Sequence, residues 1–168
     1  VARISAQFPE VGIIIGAPVR SPRSPGKGLL NAVILLVGGR EQFRQAKSLL
    51  PTYDVFDETR YFDPADKVQV VEFGGETLGL SVCEDAWHCP TGAPEANSPE
   101  MWERAEYSRD PVAELASAGA TVLINISASP FAVGKEAVRK RLIAGHASRR
   151  QLPFVFVNQV GGNDDLVF

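Results

Sequence analysis

Cysteine is scarce: the 168 residues hold two, Cys83 and Cys89. So few exclude a disulfide framework, and a spacing of six residues matches no metal-ligand pattern. Both are expected to stay thiols in a reducing cytoplasm. Long hydrophobic runs are missing too. No apolar stretch reaches the ~18 residues of a membrane span, and Val1-Ala2-Arg3-Ile4-Ser5 lacks a signal-peptide pattern. Positive charge has no excess: 17 Lys and Arg face 20 Asp and Glu, a net of −3, which argues against an electrostatic nucleic-acid binder. Internal repeats and low-complexity segments are absent. The chain opens without Met and closes on Asp164-Asp165-Leu166-Val167-Phe168, which reads as a strand with no partner following. These ends are expected of a piece of a longer protein.

What is present suits one domain spanning 1–168, since 45% hydrophobic and 22% charged residues are ordinary for a globular core. Val11 to Val19 and Asn31 to Val37 are β-branched apolar runs and predict buried strands, separated by a Ser/Pro/Arg/Gly loop. Arg40 to Phe62 has mixed character. Val68 to Phe73 and Glu76 to Val82 flank Gly74-Gly75 and predict a hairpin. His88 to Arg109 reads as a long loop with a short helix near Pro99 to Tyr107. Asp110 as N-cap, Pro111 and the stop Gly119 bracket a helix over Pro111 to Ala118. A strand over Thr121 to Ile126, a helix over Gly134 to Arg150 and a strand over Pro153 to Val157 follow. That helix has an apolar side of Val138, Leu142 and Ile143 and a basic side that is either solvated or a contact surface. Hairpins early and alternation late predict an α/β sandwich with a mixed sheet.

The segment Leu78 to Trp87 is the most telling. A strand-like run ends abruptly in Cys83, followed by Glu84, Asp85 and Trp87. A nucleophile must be fixed yet reachable, and a thiol at a strand end meets both needs; a buried core cysteine is the bland alternative. Lys47 precedes an aromatic-rich block expected to be largely buried, where an ammonium could hold an oxyanion with Glu58 steadying it. Asn125-Ile126-Ser127-Ala128-Ser129-Pro130-Phe131 closes another strand. Its small polar groups fall beside Cys83 if the two strands are parallel neighbours, and otherwise form a local turn.

These blocks together resemble the nitrilase superfamily of carbon–nitrogen hydrolases, and within it the glutaminase domain of glutamine-dependent NAD synthetases. Lys47-x-x-Leu50-Pro51-x-Tyr53-x-x-Phe56-Asp57-Glu58-x-Arg60-Tyr61-Phe62 is similar to the lysine block, and Cys83-Glu84-Asp85-x-Trp87 to the nucleophile block. Asn125 to Phe131 and Val157-Asn158-Gln159-Val160-Gly161-Gly162 to Phe168 are similar to the later signatures.

The resemblance implies an α-β-β-α layered sandwich truncated at its N-terminus. It implies that Cys83 attacks the glutamine carboxamide and that Lys47 holds the oxyanion. Glu58 is then a supporting carboxylate, and Tyr53, Phe56, Glu84 and Ser129 line the substrate pocket. It implies no metal and no cofactor here, ATP and magnesium belonging to a synthetase domain that would be the partner, together with self-association. The family's general base lies upstream, after a strand and before a long helix. Phe8-Pro9-Glu10 is a tempting substitute, but too few residues separate Glu10 from the next strand to fit a crossover helix. The isolated chain is therefore expected to be inactive or impaired, since general base catalysis supplies ~10²–10⁴-fold. A stand-alone amidase or carbamoylase, or a non-catalytic interaction module, are the alternatives.

Overall fold

A computed structural model describes residues 1–53, 55–89 and 107–168. A short helix, α1 (Ala2–Gln7), leads into an antiparallel sheet of β1 (Ile13–Arg20), β2 (Leu29–Val37) and β3 (Arg40–Ala46), in the order β1-β2-β3. After the four-residue helix α2 (Glu58–Tyr61) comes a second sheet of β4 (Val70–Phe73), β5 (Glu76–Val82), β6 (Val122–Ser127) and β7 (Phe154–Asn158). It is mixed as expected: β4 and β5 are antiparallel, while β5, β6 and β7 run parallel. Helices α3 (Pro111–Ser117) and α4 (Lys135–Arg150) connect the parallel strands.

Period-two patterning decides what each strand buries. Val33 and Leu35 from β2 meet Leu78, Leu80 and Val82 from β5, forming the seam between the sheets. The opposite face of β5 and β6 packs Leu123 against Val112 and Leu115 of α3. Val138 and Leu142 of α4 pack on Trp87. With α1 against the first sheet and α3 and α4 on the second, the layers are α-β-β-α. Two glycine pairs make the hairpins: Gly38-Gly39 and Gly74-Gly75 all have φ between 56° and 84°, as a two-residue type I′ turn requires.

Several expectations are corrected. Arg40–Ala46, read as part of a mixed stretch, is a full strand, because Gly38-Gly39 folds it back on β2 with Val37 opposite Arg40. The closing residues pair with the segment before them rather than after: Leu166–Val167 is antiparallel to Gly162–Asn163. The basic side of α4 is not wholly solvated, since Arg139 donates to Ser129 and Pro130 and Arg150 pairs with Asp110. Lys140, by contrast, is 76% exposed and pairs with Glu136. The predicted helix near Pro99 to Tyr107 lies almost wholly outside the described residues. No helix among them is long and apolar enough to cross a membrane.

Gly79 shows how closely α3 sits on β5. A Cβ there would meet Ala120 Cβ and a Leu123 methyl at 3.0 Å and Leu115 Cβ at 3.2 Å, backed by a close-packed core. Gly79→Ala is expected to cost about 1–3 kcal/mol through overpacking, read as a lower chemical denaturation midpoint; an unchanged midpoint would contradict this contact.

Candidate active site

The parallel register sets the site. Val82 lies opposite Ile126 and Ser127 opposite Asn158, so Cys83, Ser127 and Asn158 come side by side where three strands end. The condition placed on the Asn125 segment is thus met: β5 and β6 are parallel neighbours. Cys83 opens a 3-10 turn, Cys83–Ala86, and has φ 43°, a left-handed conformation rare for an L residue other than Gly, Asn or Asp.

Lys47 arrives from the other sheet. Its backbone N–H donates to the Asn31 carbonyl at 2.8 Å, and its carbonyl accepts from Ala65 at 2.9 Å, extending the β2–β3 pairing. Its side chain is 1% exposed and its Nζ donates to Glu58 Oε1 at 2.5 Å. The second Glu58 oxygen accepts from Asn31 Nδ2 at 3.1 Å. Glu58 is therefore held from two sides and steadies Lys47, as the sequence suggested. Tyr61 is 55% exposed and Tyr53, Phe56 and Phe62 are only half-buried, so the aromatic block itself is less buried than expected, while Lys47 is fully enclosed.

Cys83, Lys47, Glu58 and Phe56 line one cavity of about 470 Å³, together with Ser127 and Asn158. Tyr53 and Glu84 lie outside its wall and meet each other: the Tyr53 hydroxyl donates to Glu84 at 2.8 Å, and the Tyr107 hydroxyl at 3.0 Å. Ser129 is buried a layer further back. Its hydroxyl accepts from Arg139 at 3.0 Å, and its backbone exchanges two bonds with the Asn158 amide. Glu10 does not line this cavity, whose wall on β1 begins at Ile14. Its neighbour Pro9 lies against the Gly38-Gly39 turn, about 23 Å along β2 from Asn31 at strand rise.

Sequence reasoning missed Asp85, Asn31 and Arg139. Asp85 is 2% exposed, and its carboxylate accepts from the N–H groups of Ser48 and Leu49 at 2.9 Å and of Val82 at 3.1 Å. It thereby ties the residues after Lys47 to the residue before Cys83. The signal was its place two after Cys83 in an otherwise apolar setting. Asn31 sat unremarked at the start of an apolar run, and Arg139 on a helix side read as either solvated or a contact surface.

Two charge states matter. Burial pushes the Cys83 thiol above its ordinary range; Lys47 is the largest opposing influence, Ser127 helps it, and Glu84 and Glu58 act with burial. Lys47 thus favours the thiolate, but burial outweighs it. Burial also raises the Asp85 carboxyl to about 6, against its three backbone donors and Lys47. Among the described residues no group of three or more His, Cys, Asp or Glu has the makeup of a metal site.

Known proteins share this fold. The solved glutamine-dependent NAD+ synthetase of Acinetobacter baumannii, in complex with ADP, superimposes on 99% of the chain with a TM-score of 0.75 and 29% identity. The carbon–nitrogen hydrolase of Helicobacter pylori covers 99% with a TM-score of 0.70 and 23% identity. The chain has the fold of the nitrilase-superfamily carbon–nitrogen hydrolases. Its sequence homologues are named glutamine-dependent NAD(+) synthetase: that of Synechocystis is 37% identical over 163 residues, 95% of this chain, and that of Thermotoga maritima 34% over 139 residues, 82% of it. The chain spans only 28% and 21% of those two relatives. No protein-family model matches the chain.

Two measurements check the electrostatics. Iodoacetamide alkylation of Cys83 should titrate with a midpoint above the free-thiol value of about 8.5, and Lys47→Met should move it higher still; a midpoint at or below the free-thiol value would contradict the burial. For Asp85, the folded carboxyl binds a proton near 6 and the unfolded one near about 4. Between those values the folded state binds more protons, so this group's contribution to stability rises as pH falls. Relative to Asp85→Asn, the unaltered chain should gain about 1 kcal/mol between pH 7.5 and pH 5. A difference independent of pH would show that Asp85 does not titrate there.

Proposed function

We propose that this chain carries the nucleophile and oxyanion side of a glutamine amide-hydrolysing site. The ammonia released would feed ATP-dependent NAD synthesis in a longer protein like its homologues. One observation carries the reading: a cysteine in a strained turn at the end of a parallel strand shares a cavity with a buried lysine held by a carboxylate. The names of the homologues support glutamine as the amide.

In this reading the Cys83 sulfur bonds to the side-chain carboxamide carbon while Lys47 and the backbone N–H following Cys83 receive the developing oxyanion. The C–N bond then breaks, ammonia leaves with the thiol proton, and a thioester remains. Water cleaves the thioester, giving glutamate and the free thiol. The proton needs a carrier. Both Glu58 oxygens already accept, Glu84 is bound by two phenols, and Glu10 does not line the cavity. The reading therefore takes the base from outside the described residues and expects the isolated chain to turn over poorly. Tyr53, Glu84 and Ser129 would act behind the cavity wall, and Phe56 directly on it. This half needs no cofactor; ATP and magnesium would serve the synthetase domain, its partner. Self-association and a cytoplasmic location, which keeps the thiol reduced, complete the proposal.

A glutamine-shaped chloroketone tests it without needing the base. It should alkylate Cys83, glutamine in excess should slow the labelling, and Cys83→Ala should take no label at that position. Labelling that glutamine leaves unchanged would overturn the substrate assignment.

A further inference from the structure

Asn125 Nδ2 donates to the Cys83 carbonyl at 3.4 Å, but the Cys83 conformation also depends on how the two ends of its turn are held. A non-glycine residue at φ 43° persists only where its surroundings over-determine it. The front of the 3-10 turn is fixed: Asp85 accepts from Val82, the residue before the thiol. The back of the turn ends at Ala86, which is 0% exposed, so water cannot serve its carbonyl. That carbonyl lies 2.9 Å from Nε2 of His146, on α4 and also 0% exposed.

A carbonyl has no proton to give, so Nε2 carries the hydrogen and donates. The other nitrogen, Nδ1, is buried and makes no hydrogen bond among the described residues. Burial holds the ring neutral; Asp110, Arg149 and Arg150 face it, Asp110 opposing that effect and the two arginines reinforcing it. Its ring tilts against Phe154 at 5.9 Å. Val138, Leu142 and His146 form one inward row on α4 at four-residue spacing. Leucine would fill the third place of that row as well as histidine does. What leucine lacks is a donor for the Ala86 carbonyl.

We propose that His146 is a positioning residue for the nucleophile: through the Ala86 carbonyl it holds the far end of the turn, and so keeps Cys83 in its left-handed conformation beside Lys47. The proposal rests on Cys83 being the nucleophile. His146 touches no substrate and moves no proton.

Cys89 provides the control, because it packs on Trp87, Val138 and Leu142 and reports general opening of the same helix. In the unaltered chain, His146→Leu and His146→Gln, iodoacetamide alkylation of both cysteines is followed by peptide mass. His146→Leu leaves a buried carbonyl unpaired, loosens the turn and exposes Cys83. Its alkylation should speed about fivefold, the equivalent of one net hydrogen bond. Cys89 should change less than about twofold on the same scale. His146→Gln places an amide N–H near the same point and should restore the unaltered Cys83 rate. Cys83 and Cys89 changing in step, no change at Cys83, or no rescue by Gln would each overturn the proposal. If glutamine still slows chloroketone labelling of Cys83 in the unaltered chain, such a result removes only the role of His146. If the chloroketone does not alkylate Cys83 in the unaltered chain, the nucleophile reading falls and this proposal with it.

Discussion

One carboxylate joins the two halves of the site. Asp85 accepts from Ser48 and Leu49, which follow β3 of the first sheet, and from Val82, which ends β5 of the second. Without it, the distance between Lys47 and Cys83 would depend on two loops that approach from different layers. Desolvation makes such a group costly, and three backbone N–H donors offset the cost. The carboxyl nevertheless settles at about 6, so burial outweighs the donors. A carboxylate kept under those terms serves geometry first. The apolar seam of Val33, Leu35, Leu80 and Val82 makes the sheets adhere. The seam is non-directional, however, and fixes no single atom; the hydrogen bonds of Asp85 do.

The buried ion pair follows the same logic. Lys47 at 1% and Glu58 at 15% side-chain exposure gain little net stability from one another, since desolvation consumes most of the attraction. Removing either partner would leave a buried charge unpaired, at a cost of roughly 3–5 kcal/mol. Asn31 closes the arrangement by occupying the second Glu58 oxygen. The carboxylate then cannot swing toward the thiol without giving up a bond. A lysine fixed in this way cannot reorganise when charge develops beside it, and that is what makes a donor effective for an oxyanion.

The strands were legible because their signals are local. β-branched runs marked β1 and β2, Gly74-Gly75 marked the second hairpin, and Asp110-Pro111 opened α3 where the helix begins. Strand β3 escaped because Arg40-Glu41-Gln42-Phe43-Arg44-Gln45 carries few apolar residues; its pairing with β2, not its own composition, makes it a strand. Cys83, Lys47 and Glu58 stood out because their residue types are chemically loaded in those settings. Asp85, Asn31 and His146 did not, since each is defined by a partner more than twenty residues away; Arg139 did not either, because its partners Ser129 and Pro130 are reached only when the loop before α4 folds back on the helix. Their contribution is a tertiary distance, and no spacing along the chain encodes it.

The raised Cys83 thiol bears on how the proposed attack would start. Thiolate is the reactive form, and burial here holds it back more strongly than Lys47 promotes it. A nucleophile in that state does not react with every electrophile that diffuses in. It needs a base brought to the sulfur, or a substrate whose developing oxyanion engages Lys47 as the sulfur commits. On the proposed reading, coupling ionisation to substrate in this way would make an amide carbonyl the trigger of its own attack. It also explains why so much of the surrounding structure is spent on geometry. With the thiol kept neutral at rest, rate depends on how closely the turn and the lysine are already aligned when the proton leaves.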